Sequence, residues 1–118
     1  MKYYNSEHLV LETYATSLYE NFLDAAKQLD HTIKISLFDF LLAIKSGPEK
    51  FLEYCIGGLG LSPSIAKSLE IYILIKENGK YRYPNNILFE ELQQWDEEQV
   101  KRFALKTEEK RYMFKNTY

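Results

Sequence analysis

The chain has one cysteine, two histidines, three prolines and five glycines among its 118 residues. A single cysteine excludes an intramolecular disulfide framework. Neither His8 nor His31 stands at a zinc-type spacing from the other or from Cys55, so no metal and no cofactor is expected. No apolar run approaches the ~18 residues that span a bilayer, and Met1-Lys2-Tyr3-Tyr4-Asn5 leads into no apolar segment of a signal peptide. The expectation is a soluble cytoplasmic protein without a membrane partner. Charge of one sign is also missing: the formal net charge is −2, with 15 Lys and Arg against 17 Asp and Glu. That balance gives no global attraction to nucleic acid or anionic lipid, so nucleic acid is a disfavoured partner.

What the chain has in excess is aromatic side chains, with ten Tyr, seven Phe and one Trp. Tyrosine buries a ring and keeps a polar tip, which suits core edges and interfaces. An AT-rich genome favours the same residue. The length supports one domain, residues 1–118, with a core of its own.

The apolar spacing predicts a first helix over about Ser6 to Leu29, with Leu11, Tyr14, Ala15, Leu18, Phe22, Ala25, Ala26 and Leu29 inward and Glu12, Glu20, Asp24 and Lys27 in solvent. Ser6 reads as its N-cap and His31 as a donor near its end. His8 and Glu12 read as a surface pair. Ile33-Lys34-Ile35 alternates like an extended link. Ser36 caps a second helix, with Asp39 in the capping-box position. Leu37 to Ile44 is apolar almost all round, so that helix belongs at the centre. Pro48 opens a third helix with Phe51, Leu52, Cys55 and Ile56 inward, and Gly57-Gly58 stops it. Ser62-Pro63 opens a fourth, with Ile65, Ala66, Leu69 and Tyr72 inward.

The period then changes. Ile71 to Glu77 and Lys80 to Tyr83 read as strands joined by Asn78-Gly79, placing Glu77 opposite Lys80 and Leu74 opposite Tyr83. Asn86 caps a fifth helix with Leu88, Phe89, Leu92 and Trp95 inward. Asp96 with Gln99 is a capping box for a sixth, whose inner face is Val100, Phe103, Ala104 and Leu105. The predicted fold is mainly α: a single helical domain of about six helices with one β-hairpin near residues 71–83. A winged-helix-like core is the alternative.

No catalytic pattern emerges, and the expectation is that the chain is not an enzyme. Gly57-Gly58-Leu59-Gly60 lacks the Lys-Ser/Thr of a phosphate loop and reads as a helix-ending turn. The pairs Glu90-Glu91, Glu97-Glu98 and Glu108-Glu109 are adjacent, so on a helix they diverge by about 100° and make no acid–base pair. Nothing marks Cys55 as an activated nucleophile for His31.

From about Tyr14 to Tyr72, a helix ends near His31, a link follows, and Leu41-Leu42-Ala43-Ile44 opens the next helix. Gly57-Gly58-Leu59-Gly60-Leu61 then leads to another helix over Ser62 to Tyr72. That order resembles one repeat of the amino-terminal domain of Clp-family ATPases. The family's Thr-Glu-His before its Leu run is here Leu37-Phe38-Asp39; the family domain normally carries two repeats, and the Asn78-Gly79 hairpin has no counterpart between them. The resemblance implies a divergent, free-standing module that binds another protein and hydrolyses nothing.

Two rivals follow from the residues. A small inhibitor, such as an immunity protein, an antitoxin or a phage-encoded blocker of a nuclease or nucleic-acid-binding target, would present an acidic face. Glu90, Glu91, Asp96, Glu97 and Glu98 around Trp95 are the protein-binding candidates. Trp95 itself also reads as a core residue. A winged-helix DNA-binding regulator would use Ser64, Lys67, Lys80 and Arg82. That set has few groups able to grip base edges.

Overall fold

Leu11, Ala15, Leu18, Phe22 and Ala26 recur at intervals of three and four, and the computed structural model winds Ser6–Leu29 into helix α1 with all five buried. The structure describes the backbone of residues 6–116 and the side chains of residues 10–110. Among them α1 is followed by α2 (Leu37–Lys45), α3 (Pro48–Glu53), α4 (Pro63–Leu69), strands β1 (Ile75–Glu77) and β2 (Lys80–Arg82), α5 (Ile87–Gln94) and α6 (Glu97–Asn116). The chain is mainly helical with one antiparallel hairpin.

The apolar helix is central. Leu37, Phe40, Leu41 and Ile44 of α2 are wholly buried, and α1, α3, α5 and α6 all pack on it. Burying such side chains contributes roughly 1.5–3 kcal/mol each relative to exposure. Phe40 lies 5.4 Å from Phe22 and 6.0 Å from Phe51, ring centroid to centroid, and Phe22 and Phe51 are 5.6 Å apart. The three rings bind α1, α2 and α3 into one cluster.

The tyrosines explain themselves at the margin of this core. Tyr19 packs against Phe40 while its hydroxyl donates to the Ile35 carbonyl at 2.6 Å. Tyr83 stacks on Phe89 at 4.7 Å and donates to the Ile44 carbonyl near the end of α2. Burial pushes the Tyr83 hydroxyl pKa upward, so it stays a donor. Lys45 Nζ donates to the Leu92 carbonyl at 3.0 Å, and Gln93 Nε2 to the Lys45 carbonyl at 3.3 Å, which ties the ends of α2 and α5.

The expected caps of α2, α4, α5 and α6 form, although Asp39 does not return the capping-box bond to Ser36, and the Ser6 side chain lies outside the described residues. Ser36 Oγ accepts from Asp39 N, Ser62 Oγ from Ile65 N and Asn86 Oδ1 from Leu88 N. Asp96 and Gln99 exchange two hydrogen bonds of 2.8 Å, a complete capping box at the start of α6. Asn78 and Gly79 both take positive φ, and Glu77 faces Lys80.

Several expectations are corrected. The first strand begins at Ile75, not Ile71. Glu70–Tyr72 instead forms a 3-10 turn that prolongs α4, and Leu69 and Ile73, four apart, stay on the buried face. Ile71 and Tyr72 are thereby exposed. The Leu74–Tyr83 pair lies one step beyond the ladder.

Gly57 and Gly58 do not take the left-handed conformation. The chain widens over Tyr54–Gly58 into a π-turn, with Leu59 N donating to Tyr54 O at 3.0 Å, and Gly60 carries the positive φ. The wider winding leaves Ile56 exposed beside buried Cys55. Leu105 is exposed because it stands one residue off the Val100, Phe103, Ala104, Thr107 face; Leu29, in the last turn of α1, is exposed as well. Glu12, expected in solvent, is buried, and its Oε1 accepts from Lys110 Nζ at 2.7 Å where α6 returns across α1. The His8 side chain lies outside the described residues.

Candidate functional site

The corner between α5 and α6 is two residues long, Trp95 and Asp96. Trp95 leaves α5 in extended conformation, half-buried, with its ring 5.0 Å from that of Phe103 on α6. It is thus part of the core edge and part of the surface at once. Asp96, Glu97 and Glu98 surround it in sequence and are all exposed. Asp96 spends one carboxylate oxygen on the Gln99 amide. Glu97 and Glu98 sit in the first turn of α6, where the helix dipole favours negative charge. Glu90 is exposed in the first turn of α5, and Glu91 is half-buried on the same helix. The acidic candidates therefore divide into a tight set at the corner and a pair further up α5.

The alternative set is dispersed. Ser64 and Lys67 lie exposed on α4; on β2 of the hairpin Lys80 is exposed and Arg82 half-buried. Arg82 is already engaged: its Nε donates to Glu77 Oε1 at 2.9 Å and its Nη1 to the Tyr83 carbonyl at 3.1 Å. This ion pair holds the Glu77 carboxyl below the usual range.

His31 and Cys55 do not make a reactive pair. His31 is exposed in a turn that Asp30 closes, its carboxylate accepting from Thr32 N and Oγ1. The donor role expected of His31 is not seen, and the two bonds from Thr32 hold the Asp30 carboxyl below the ordinary value. Cys55 is buried, and desolvation pushes its thiol up to about 12. At neutral pH it is a protonated apolar filler, not a nucleophile. Among the described residues no group of three or more His, Cys, Asp or Glu is placed to hold a metal ion, and no helix is long and apolar enough to cross a membrane.

One feature escapes any reading of single segments. An open groove of about 370 Å³ runs between α2 and α3, with Leu42 and Ala43 on one side, Tyr54 on the other and the carboxylates of Asp39 and Glu53 beside them. Tyr54 is held in place by its own π-turn: a Cβ on Gly58 would lie 2.6 Å from Tyr54 Cδ1, so only glycine admits the ring there. Burial, then the Asp39 carboxylate, raise the Tyr54 hydroxyl above its ordinary pKa. These residues stand up to 15 positions apart on separate helices, and no local pattern in the sequence marks them. Compared with known proteins, the chain matches no family model, no curated protein and no solved structure.

Proposed function

We propose that this chain is a non-enzymatic protein-interaction module that binds a partner presenting basic groups. The carrying observation is the α5–α6 corner, where half-buried Trp95 rests on Phe103 beside exposed Asp96, Glu97 and Glu98. An aromatic ring anchored on one side by the core loses little entropy on binding, and surrounding carboxylates select a basic partner and speed its approach. The specific form is a cytoplasmic inhibitor or immunity-type blocker of a nucleic-acid-binding protein, whose basic channel such a corner would cover.

The buried, protonated Cys55 thiol supports the non-enzymatic part of this reading. The order α1, extended link, α2, α3, Gly-rich turn, α4 supports kinship in design with a Clp repeat, itself a protein-docking module. The engagement of Arg82 with Glu77 counts against a DNA-reading hairpin.

The test is affinity capture from native lysate with the wild-type chain and with a Glu97→Lys/Glu98→Lys variant. The expected result is one protein at near-stoichiometric ratio, lost or reduced at least about tenfold in the variant while the far-UV helical signal is unchanged. Equal capture by both forms removes the corner from the interface.

A further inference from the structure

We infer that the groove between α2 and α3 takes an arginine side chain from a basic segment of the partner protein. The inference rests on the protein-binding reading and names a second, separate contact. Its chemistry follows from what lines the groove. Leu42, Ala43 and the Tyr54 ring give an apolar wall and an aromatic surface, and Asp39 and Glu53 place carboxylates beside them. A guanidinium is planar, weakly hydrated and able to stack on an aromatic ring while pairing with carboxylate, a combination that an ammonium meets less well. The volume, about 370 Å³, falls in the range of ~300–1,000 Å³ typical of binding sites.

The charge balance excludes the opposite sign of ligand. A second depression of about 200 Å³ shares Ser46 and Lys50 with the first and adds Glu49 and Tyr81. The larger groove presents Asp39 and Glu53 against the ammonium of Lys50, whereas in the second Lys76 already lies over the Tyr81 ring. Lys50 is 3.7 Å from Glu53 and both are about two-thirds exposed, so this weak pair yields readily to an incoming cation. The carboxylates of Asp39 and Glu49 form no hydrogen bond or ion pair with any described residue, which leaves them for a ligand. No metal-binding cluster exists here among the described residues, so the cation is organic.

The second depression already holds a cation. Tyr81 lines it beside Glu49, but Lys76 Nζ lies over the Tyr81 ring at 5.3 Å from its centroid and the Tyr81 hydroxyl donates to Glu70. The arginine therefore belongs in the larger groove, against Tyr54, Asp39 and Glu53.

The probe is an acetylated hexapeptide containing one arginine, titrated into the isotopically labelled full chain and followed by amide NMR shifts. Its control carries citrulline, which keeps the shape and removes the charge. Shifts confined to residues 39–54, absent with citrulline, are the expected result. Asp39→Asn/Glu53→Gln, a variant that keeps shape and helix content, weakens the arginine peptide about tenfold or more. Glu97→Lys/Glu98→Lys leaves it unchanged. Equal binding of the two peptides, shifts centred on Trp95, or full affinity in the Asp39→Asn/Glu53→Gln variant overturns the groove. Partner capture that is lost with the corner variant and kept with the groove variant also overturns the groove and leaves the corner reading standing. Loss with the groove variant alone removes the corner and keeps the groove.

Discussion

Two connections turn this chain between helices, and they do so by opposite means. The α5–α6 corner takes two residues and is closed by side chains three apart, Asp96 and Gln99, bonding each other's backbone. The α3–α4 connection takes nine, Tyr54 to Ser62, and is closed by backbone: a π-turn, a Leu61 N to Cys55 O bond of 3.2 Å and a left-handed Gly60. The first is local and tolerant, because capping residues act on their own helix alone. The second is cooperative, because Tyr54, Cys55 and Gly58 must fit the core and one another together. The candidate contacts divide the same way: one at the local corner, one beside the cooperative turn.

The comparison breaks most easily at Gly58. Gly58→Ala drives a methyl into the Tyr54 ring, and we expect a loss of about 2–3 kcal/mol, read as a lowered urea midpoint with helical content kept. Unchanged stability would mean that the ring does not depend on this glycine. Next in size is the alkaline response of Cys55. Burial pushes its thiol up to about 12 from the ordinary 9.0, so the unfolded state loses its proton first as pH rises. The sign is therefore destabilising: full stability below about pH 9, and a loss of roughly 1 kcal/mol by pH 10 from this group. Cys55→Ala abolishes that increment. The thiol of the wild-type chain reacts with a disulfide reagent at pH 8 only after denaturation.

Gly60→Ala costs about 1–2 kcal/mol through its positive φ alone, since open space surrounds it. An Asn there should recover part of the loss, whereas it would not at Gly58. Asp96→Ala costs about 1 kcal/mol, the ordinary worth of a helix cap, and Gln99→Ala less. A larger loss at Asp96 would mean that the corner is as cooperative as the π-turn. Smallest per residue is Glu97→Lys/Glu98→Lys, about 0.3–1 kcal/mol for each charge in stability at low salt, set against its large expected effect on partner capture.

Legibility follows the same division. The caps at Ser36, Ser62, Asn86 and Asp96 depend on groups two or three positions apart, so the local pattern was enough. The hairpin turn was legible for the same reason, Asn78 and Gly79 being the residues that accept positive φ. Misreadings arose where distant parts meet. Ile71 and Tyr72 are β-formers by type, yet burial of Leu69 and Ile73 on one face holds them in a 3-10 turn. Glu12 looks like a solvent residue until α6 brings Lys110 across it, 98 positions away. Of the candidate contacts, the Trp95 corner was readable and the α2–α3 groove was not.

By itself the sequence determined the helix count and caps, the hairpin turn and the central place of Leu37 to Ile44. Those depend on side-chain periodicity and on hydrogen bonds within one turn of the backbone. Only the tertiary structure decided that Cys55 is sealed, that Glu12 is paired inside, that the chain widens at Tyr54 and that Asp39, Glu53 and Tyr54 share a groove. Desolvation and proximity between separate helices set those outcomes, and neither quantity exists until the helices have packed.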